Sequence, residues 1–463
     1  MQKLLQYPVF SEDTIFYRYP NREYSIQNIS TNFYRTLSLD GLQVFEKCNG
    51  LKNVHDIAIE LQEEFDIEDS DVLSFFEDAE KRGFVYFSDK PIISEMKVKG
   101  NGKYFFPRIF SIELTNKCNL DCCYCYGNHD PAKKGDLPFE KIEWLFQLLK
   151  DNGVEGIELT GGEPLMHPQF YEILKLAKIY FGHINILSNG ILFDQKIFDF
   201  LKSNKKGIGV QISIDGSNEE IFSKLRRKNG TFQKTISVIK QLLEIGVFTR
   251  VGIVATWDNM YDLKNTCQLM RDIGVTNFMI SKADSLGRGA SLTYPDGKTL
   301  DNRKSKYYKE FMKIMEEINS EYEDILFNIS RLMKEYPNDN FNSHNCGTGW
   351  SMVTLEPNGD VKGCILLDVQ MAKLGNIFTD NYLSIFNDSS LSSLYQIFHK
   401  DDNEKVCEKC KYKTYCAKCL AKIILANKDR LSEGKQLCPI AQKFEFDKVI
   451  NFDHDYEYKI DLQ

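Results

Sequence analysis

Between residues 109 and 281, six apolar β-like runs alternate with amphipathic helical patterns, and this alternation limits the possible folds more than any other feature. The runs span residues 109–114, 156–159, 184–187, 210–214, 249–255 and 277–281; helical patterns include 139–150, 170–179, 232–245 and 263–273. Such alternation builds a parallel sheet covered by helices, and barrels of this type place their chemistry at the C-terminal strand ends. The first run leads into Cys118-Asn-Leu-Asp-Cys122-Cys-Tyr-Cys125. Three thiolates at C-x3-C-x2-C spacing can hold three corners of a cubane iron–sulfur cluster and leave the fourth iron open. Cys122 is read as the ligand and Cys123 as a packed neighbour. On its spacing alone, the triplet also suits a zinc site.

Length and composition set the frame. The chain has 463 residues, enough for two or three domains, and 42% of them are hydrophobic. No apolar run is long enough to span a membrane, and the first residues carry no signal-peptide pattern. Ten of the thirteen cysteines fall in three metal-like groupings. That favours a reducing cytoplasm over a disulfide framework. The formal charge of −8 argues against a nucleic-acid partner.

Gly161-Gly162-Glu163-Pro164, Ser188-Asn189-Gly190, Ser213-Ile-Asp215-Gly216 and Arg226 follow the cysteines in order, each at or just past a strand end. With an aromatic residue, Tyr124, before the third cysteine, the set resembles the radical S-adenosylmethionine (SAM) enzymes. The resemblance implies an α/β fold with a partial (β/α)6 TIM-like barrel over residues 108–325. Cys118, Cys122 and Cys125 would hold a [4Fe-4S] cluster whose open iron chelates SAM. Gly162 and Glu163 would lie beside the methionyl amino group, with Ser188 and Asn189 near the ribose or methionyl part. Tyr124 would approach adenine. Ser213, Asp215 and Arg226 complete the implied cofactor site, with Arg226 binding a carboxylate. Relatives usually carry Gly after that arginine, where this chain has Arg227. One electron from the cluster would cleave SAM to a 5′-deoxyadenosyl radical that abstracts hydrogen from an unactivated C–H bond.

A second cysteine set follows: Cys346, Cys364, Cys407-x2-Cys410-x5-Cys416-x2-Cys419 and Cys438. It resembles the SPASM extension, placed here at residues 340–445 before a tail, 446–463; the usual spacing of the last close pair is x3 rather than x2. The CxxC pairs on their own would also suit a zinc ribbon. By resemblance, Cys407, Cys410, Cys416 and Cys438 close an outer [4Fe-4S] cluster. Cys346, Cys364 and Cys419 hold an inner one with an open iron, which suits a thiolate from the substrate.

Residues 1–90 read as a hairpin (10–19 and 24–29), three helices (31–49, 54–65 and 69–82) and a returning strand, 83–87, with Ser70 as an N-cap. This order suggests a winged helix. DNA binding is its common use, but 9 Lys/Arg against 17 Asp/Glu oppose phosphate contact. The pattern resembles the PqqD-like recognition domain, which implies β-augmentation by a leader peptide. Residues 91–107 read as a linker.

Over its length the chain resembles the sactipeptide and ranthipeptide maturases, including subtilosin-type enzymes; Leu286-Gly-Arg288-Gly289 recurs in that group. The implied activity is Cys sulfur-to-carbon crosslinking within a ribosomally made precursor peptide, with a flavodoxin- or ferredoxin-type electron donor. Competing readings are carbon–carbon or carbon–oxygen bond formation, epimerisation, an anaerobic sulfatase-maturase activity, and a zinc- or DNA-binding regulator. Cys48 and Cys267 read as buried thiols, and His167 as a shaper of the turn after Gly-Gly-Glu-Pro.

Overall fold

The structure is a computed structural model that describes residues 2–19, 24–31, 33–104, 106–300, 305–325, 352–367 and 373–387. The N-terminal unit pairs β1 (Tyr7–Phe10) with β5 (Val85–Ser88) and builds an antiparallel meander from β2 (Thr14–Arg18), β3 (Tyr24–Asn28) and β4 (Phe33–Leu37). Helices α1 (Leu39–Lys47), α2 (Val54–Gln62) and α3 (Asp69–Lys81) cover a core of Phe10, Phe16, Phe45 and Phe76. Phe10–Phe16 and Phe16–Phe45 meet edge to face at centroid distances of 5.3 and 5.4 Å, a favoured aromatic geometry.

Three expectations for this unit change. The run 10–19 is broken by a turn at 11–13 between β1 and β2. The helix expected over 31–49 begins only at Leu39, where the Ser38 hydroxyl accepts from Gly41 N. Its first part is β4, a third meander strand whose Phe, Tyr and Thr suit a pleated surface. Ser70 is not the N-cap of α3: the helix starts at Asp69, and Glu68 N donates to the Asp71 carboxylate at 3.0 Å. Within the stretch 91–107, β6 (Val98–Lys99) joins the same sheet, parallel to β2.

The second unit is built on β7 (Ile109–Glu113), β8 (Gly156–Thr160), β9 (His183–Ser188), β10 (Ile208–Ser213), β11 (Phe248–Ala255) and β12 (Phe278–Lys282), parallel and in sequential order. Helices α4 (Phe139–Asp151), α5 (Phe170–Tyr180), α6 (Gln195–Asn204), α7 (Glu219–Arg226), α8 (Phe232–Glu244) and α9 (Leu263–Ile273) follow the strands, and α10 (Lys306–Glu321) follows β12. Strand periodicity decides the faces. Ile157, Leu159, Ile184, Ile186, Val210 and Ile212 pack into one core with Ile142, Phe146 and Ile173 of the helices. The alternate residues, such as Glu158, Asn185 and Gln211, look the other way, into the concave side of a partial barrel.

The sheet continues past β7. Strand β13 (Met352–Leu355) pairs parallel to β7, Ile109 opposite Met352, and β14 (Asp360–Lys362) and β15 (Lys373–Asn376) extend it antiparallel. Among the described residues no helix is long and apolar enough to cross a membrane.

The two units meet at the N-terminal strand ends. There Glu155, just before β8, is 2% exposed. Arg108 grips it with Nε at 2.8 Å and Nη2 at 2.9 Å, Tyr19 Oη donates at 2.7 Å, and Ser25 Oγ donates as well. Gly153 lies against Gly100 so closely that a Cβ would stand 2.9 Å from the Gly100 Cα. The φ of +81° at Gly153 adds a second reason for glycine.

Candidate active site

All the predicted SAM and cluster residues inside the barrel gather at the opposite, C-terminal ends of the strands. The chain leaves β7 and turns through Cys118, whose N–H donates to Asp130 O at 3.1 Å. Cys118 and Cys122 are buried with Leu120 and Ile191, and Cys125 and Tyr124 pack against them. Burial pushes the Cys118 thiol up to about 12, and Glu163, Cys122 and Cys125 add in the same direction. Burial raises the Cys122 thiol as well, and buried thiols of this kind ionise together only beside a concentrated positive charge, so the donor set fits an iron–sulfur cluster. Among the described residues no three His, Cys, Asp or Glu side chains form a site for a single metal ion. Cys123 stands apart, its N–H bonded to Leu225 O at 2.9 Å and its thiol raised to about 11 by burial.

The Gly161–Gly162 turn seats directly on the cysteine-bearing segment. A Cβ at Gly162 would stand 2.2 Å from Lys117 O, and one at Gly161, where φ is +129°, 2.4 Å from Thr115 O. No other residue type fits there. Glu163 is fully buried; it accepts from Ser188 Oγ and Asn189 N, both at 2.8 Å, and from Leu165 N at 3.3 Å. Burial still raises its carboxyl to about 7, against the pull of those donors. Asn189 turns its amide toward Asn119 Oδ1 at 2.7 Å, with the Cys118 sulfur at 3.9 Å.

Asp215, just past β10, has no exposure. Its carboxylate accepts from Val254 N at 2.8 Å and from the Tyr124 hydroxyl, and it lies 2.6 Å from Arg226 Nε. Ser213 ends β10 and is half-buried. Arg226 is 3% exposed in the last turn of α7, its guanidinium 5.9 Å from the Tyr124 ring centre. Burial opposes its charge, but Asp215, Tyr124 and Cys122 together outweigh that and hold its pKa above the usual value. Nε is engaged by Asp215, whereas Nη2 has no hydrogen-bond acceptor among the described residues. A buried cation with unused donors is a binding position for an anionic group, which fits the carboxylate of SAM. The departure at Arg227 has a physical counterpart: its φ is 55°, the left-handed conformation in which glycine is at ease.

From the second cysteine set, Cys364 lies in the turn after β14. Burial raises the Tyr126 phenol well above its ordinary value, and Glu113, Cys125 and Cys364 act the same way. The start of the extension thus faces the cysteine loop. Cys346, Cys407, Cys410, Cys416, Cys419 and Cys438 lie outside the described residues. Cys48 and Cys267 are buried in apolar cores, and His167 accepts from Gln169 N with its ring next to Leu137 O.

The reading of the sequence gave no role to Arg288, which reaches the cysteine loop from just beyond β12. Nor did it foresee the Glu155 junction.

Three family models match the chain: the radical SAM superfamily over residues 112–273, an iron–sulfur cluster-binding SPASM domain over 346–411, and coenzyme PQQ synthesis protein D over 23–85. The subtilosin biosynthesis protein AlbA of Bacillus subtilis is 28% identical over 436 residues, covering 92% of this chain and 93% of AlbA. The sporulation killing factor maturation protein SkfB of the same organism is 26% identical, covering 86% and 89%. In fold, the chain matches Streptococcus suis SuiB bound to its precursor peptide SuiA with a TM-score of 0.61, at 16% identity, over 90% of this chain and 97% of SuiB.

Proposed function

From the premise that this chain is a radical SAM enzyme carrying SPASM and PqqD domains, we propose that it forms intramolecular Cys sulfur-to-carbon thioether crosslinks in a ribosomally made precursor peptide. The observation that supports this most is the match to AlbA along nearly the whole of both chains. When bound, SAM and the reduced cluster supply hydrogen abstraction from an unactivated C–H bond.

The protein's own residues do the rest. Cys118, Cys122 and Cys125 would hold the cluster, the first two from buried positions and Cys125 from a half-buried one. Gly162 and Glu163 would lie beside the amino end of SAM, and Ser188 and Asn189 near its ribose or methionyl part. Arg226 would take the carboxylate through its unmatched Nη2. Asp215 has its oxygens taken by protein groups, so it acts by holding Arg226 and Tyr124 in place, with Ser213 beside it and Tyr124 toward adenine. Residues 1–90 take the leader by β-augmentation. Cys346, Cys364 and Cys419 would hold an inner auxiliary cluster with one iron left for a substrate thiolate, and Cys407, Cys410, Cys416 and Cys438 would hold an outer one. A flavodoxin- or ferredoxin-type protein of the cytoplasm supplies electrons.

Co-expression with a cysteine-containing precursor peptide encoded nearby tests the reading. Each crosslink should remove two hydrogens from the product mass and consume one thiol. Full recovery of free thiols would reject thioether chemistry in favour of another peptide modification. Cys118→Ala should abolish SAM cleavage, whereas Cys346→Ala should keep uncoupled cleavage and lose the crosslink.

A further inference from the structure

We propose that Arg288 is a positioning residue for the SAM-binding cluster, fixing its loop and favouring its reduced state. The inference rests on Cys118, Cys122 and Cys125 being the cluster ligands. Each nitrogen of the Arg288 guanidinium takes a different acceptor in the cysteine loop. Nε donates to Cys122 O at 2.8 Å, Nη2 to His129 O at 2.8 Å, and Nη1 pairs with Asp121 Oδ1 at 3.1 Å. Its backbone N–H adds Cys125 O at 3.0 Å. The contacts tie together residues 121–129, a stretch with no regular element of its own, from a segment more than 150 positions away.

The flanking glycines make that approach possible. At Gly287, φ is +51° and a Cβ would lie 2.3 Å from Tyr126 O and 2.4 Å from Cys125 O. At Gly289 a Cβ would lie 2.3 Å from Asp284 O. Only a planar, five-donor, permanently charged fork satisfies three acceptors in this arrangement; lysine keeps the charge but not the reach in three directions. The Arg288 side chain is 18% exposed, so its charge is only partly screened, although Asp121 offsets some of it. Reduction adds negative charge to the cluster, and net charge and hydrogen bonding around a cluster set its potential.

The test uses anaerobically reconstituted full-length protein. Iron per chain is measured, together with the electron paramagnetic resonance signal that changes when SAM is added, followed through a redox titration. In Arg288→Gln the SAM-responsive cluster should form in fewer than half of the chains, and where it forms half-reduction should need an about tenfold higher ratio of reduced to oxidised mediator, ~59 mV for one electron. Arg288→Lys should keep the potential near that of the unsubstituted enzyme while its loop holds the SAM-responsive cluster in fewer than half of the chains. Thermal melts of both variants matching the unsubstituted enzyme would separate this from general unfolding. Full cluster occupancy and unchanged potential in both variants would overturn the proposal. Cys118→Ala must lose the SAM-responsive signal; if the signal persists, the ligand assignment itself fails, whatever Arg288 does.

Discussion

At the N-terminal ends of the barrel strands Glu155 is buried with both oxygens engaged by Arg108 and further donors from Tyr19 and Ser25. At the C-terminal ends Arg226 is buried beside Asp215 with Nη2 matched to no acceptor among the described residues. Both are ion pairs removed from water, on the same sheet and at similar depth. A pair that is satisfied by protein groups locks two units together. A pair with donors left over has capacity for something that arrives later. Buried charge alone therefore does not mark a functional site; the completeness of its hydrogen bonding separates the two roles.

The largest expected effect tests the satisfied pair. Glu155→Ala strands the Arg108 charge and should cost about 3–5 kcal/mol in urea unfolding, with SAM affinity per folded molecule unchanged. Asp215→Asn should do the reverse. By unseating Arg226 it should weaken SAM binding by roughly 2 kcal/mol, about thirtyfold, read by anaerobic calorimetry. If the Glu155 variant lost SAM affinity and the Asp215 variant did not, the contrast would be broken.

His183 gives the satisfied end of the strands a pH dependence. It lies at the N-terminal end of β9, and burial lowers its pKa from 6.5 to about 4, with Glu155 pulling the other way. The folded protein keeps the ring neutral where the unfolded chain protonates it. The stabilisation is therefore complete above pH 6.5 and is lost as pH falls toward 4, up to about 3 kcal/mol. His183→Gln should flatten the unfolding free energy across that window; an unchanged slope would show that another group controls it. The smallest effect belongs to the other end of the strands. Arg227→Gly should relieve the left-handed backbone and raise stability by about 1 kcal/mol, since the exposed pair it gives up with Asp121 is worth little.

The six barrel strands could be read from the sequence because their apolar runs are bounded by turns and separated by helical periodicity. The cysteine loop and its four companion motifs were legible because short spacings carry their own geometry. Phe33–Leu37 misled because its strand pattern runs without a break into the helix that begins at Leu39. Val98–Lys99 is two residues long, and only its partner β2 makes it a strand. The Leu286-Gly-Arg288-Gly289 run stands out in the sequence, but the contacts of Arg288 and of Glu155 do not, for a common reason. Their partners lie 166 and 47 residues away for the main contacts, and no local pattern announces a charge whose acceptors come from another part of the chain.

The strand pairing between β13 and β7 means that the cluster-bearing extension is not a detachable cassette. A shortened version ending at residue 325 would leave one flank of β7 with bare amide and carbonyl groups, in the middle of what is now a continuous sheet. Bare flanks of that kind recruit other chains, so such a truncation should precipitate rather than survive as a smaller catalyst. Exchanging the C-terminal region between related enzymes would have to preserve the register of Met352–Leu355, or the first barrel strand would lose its neighbour.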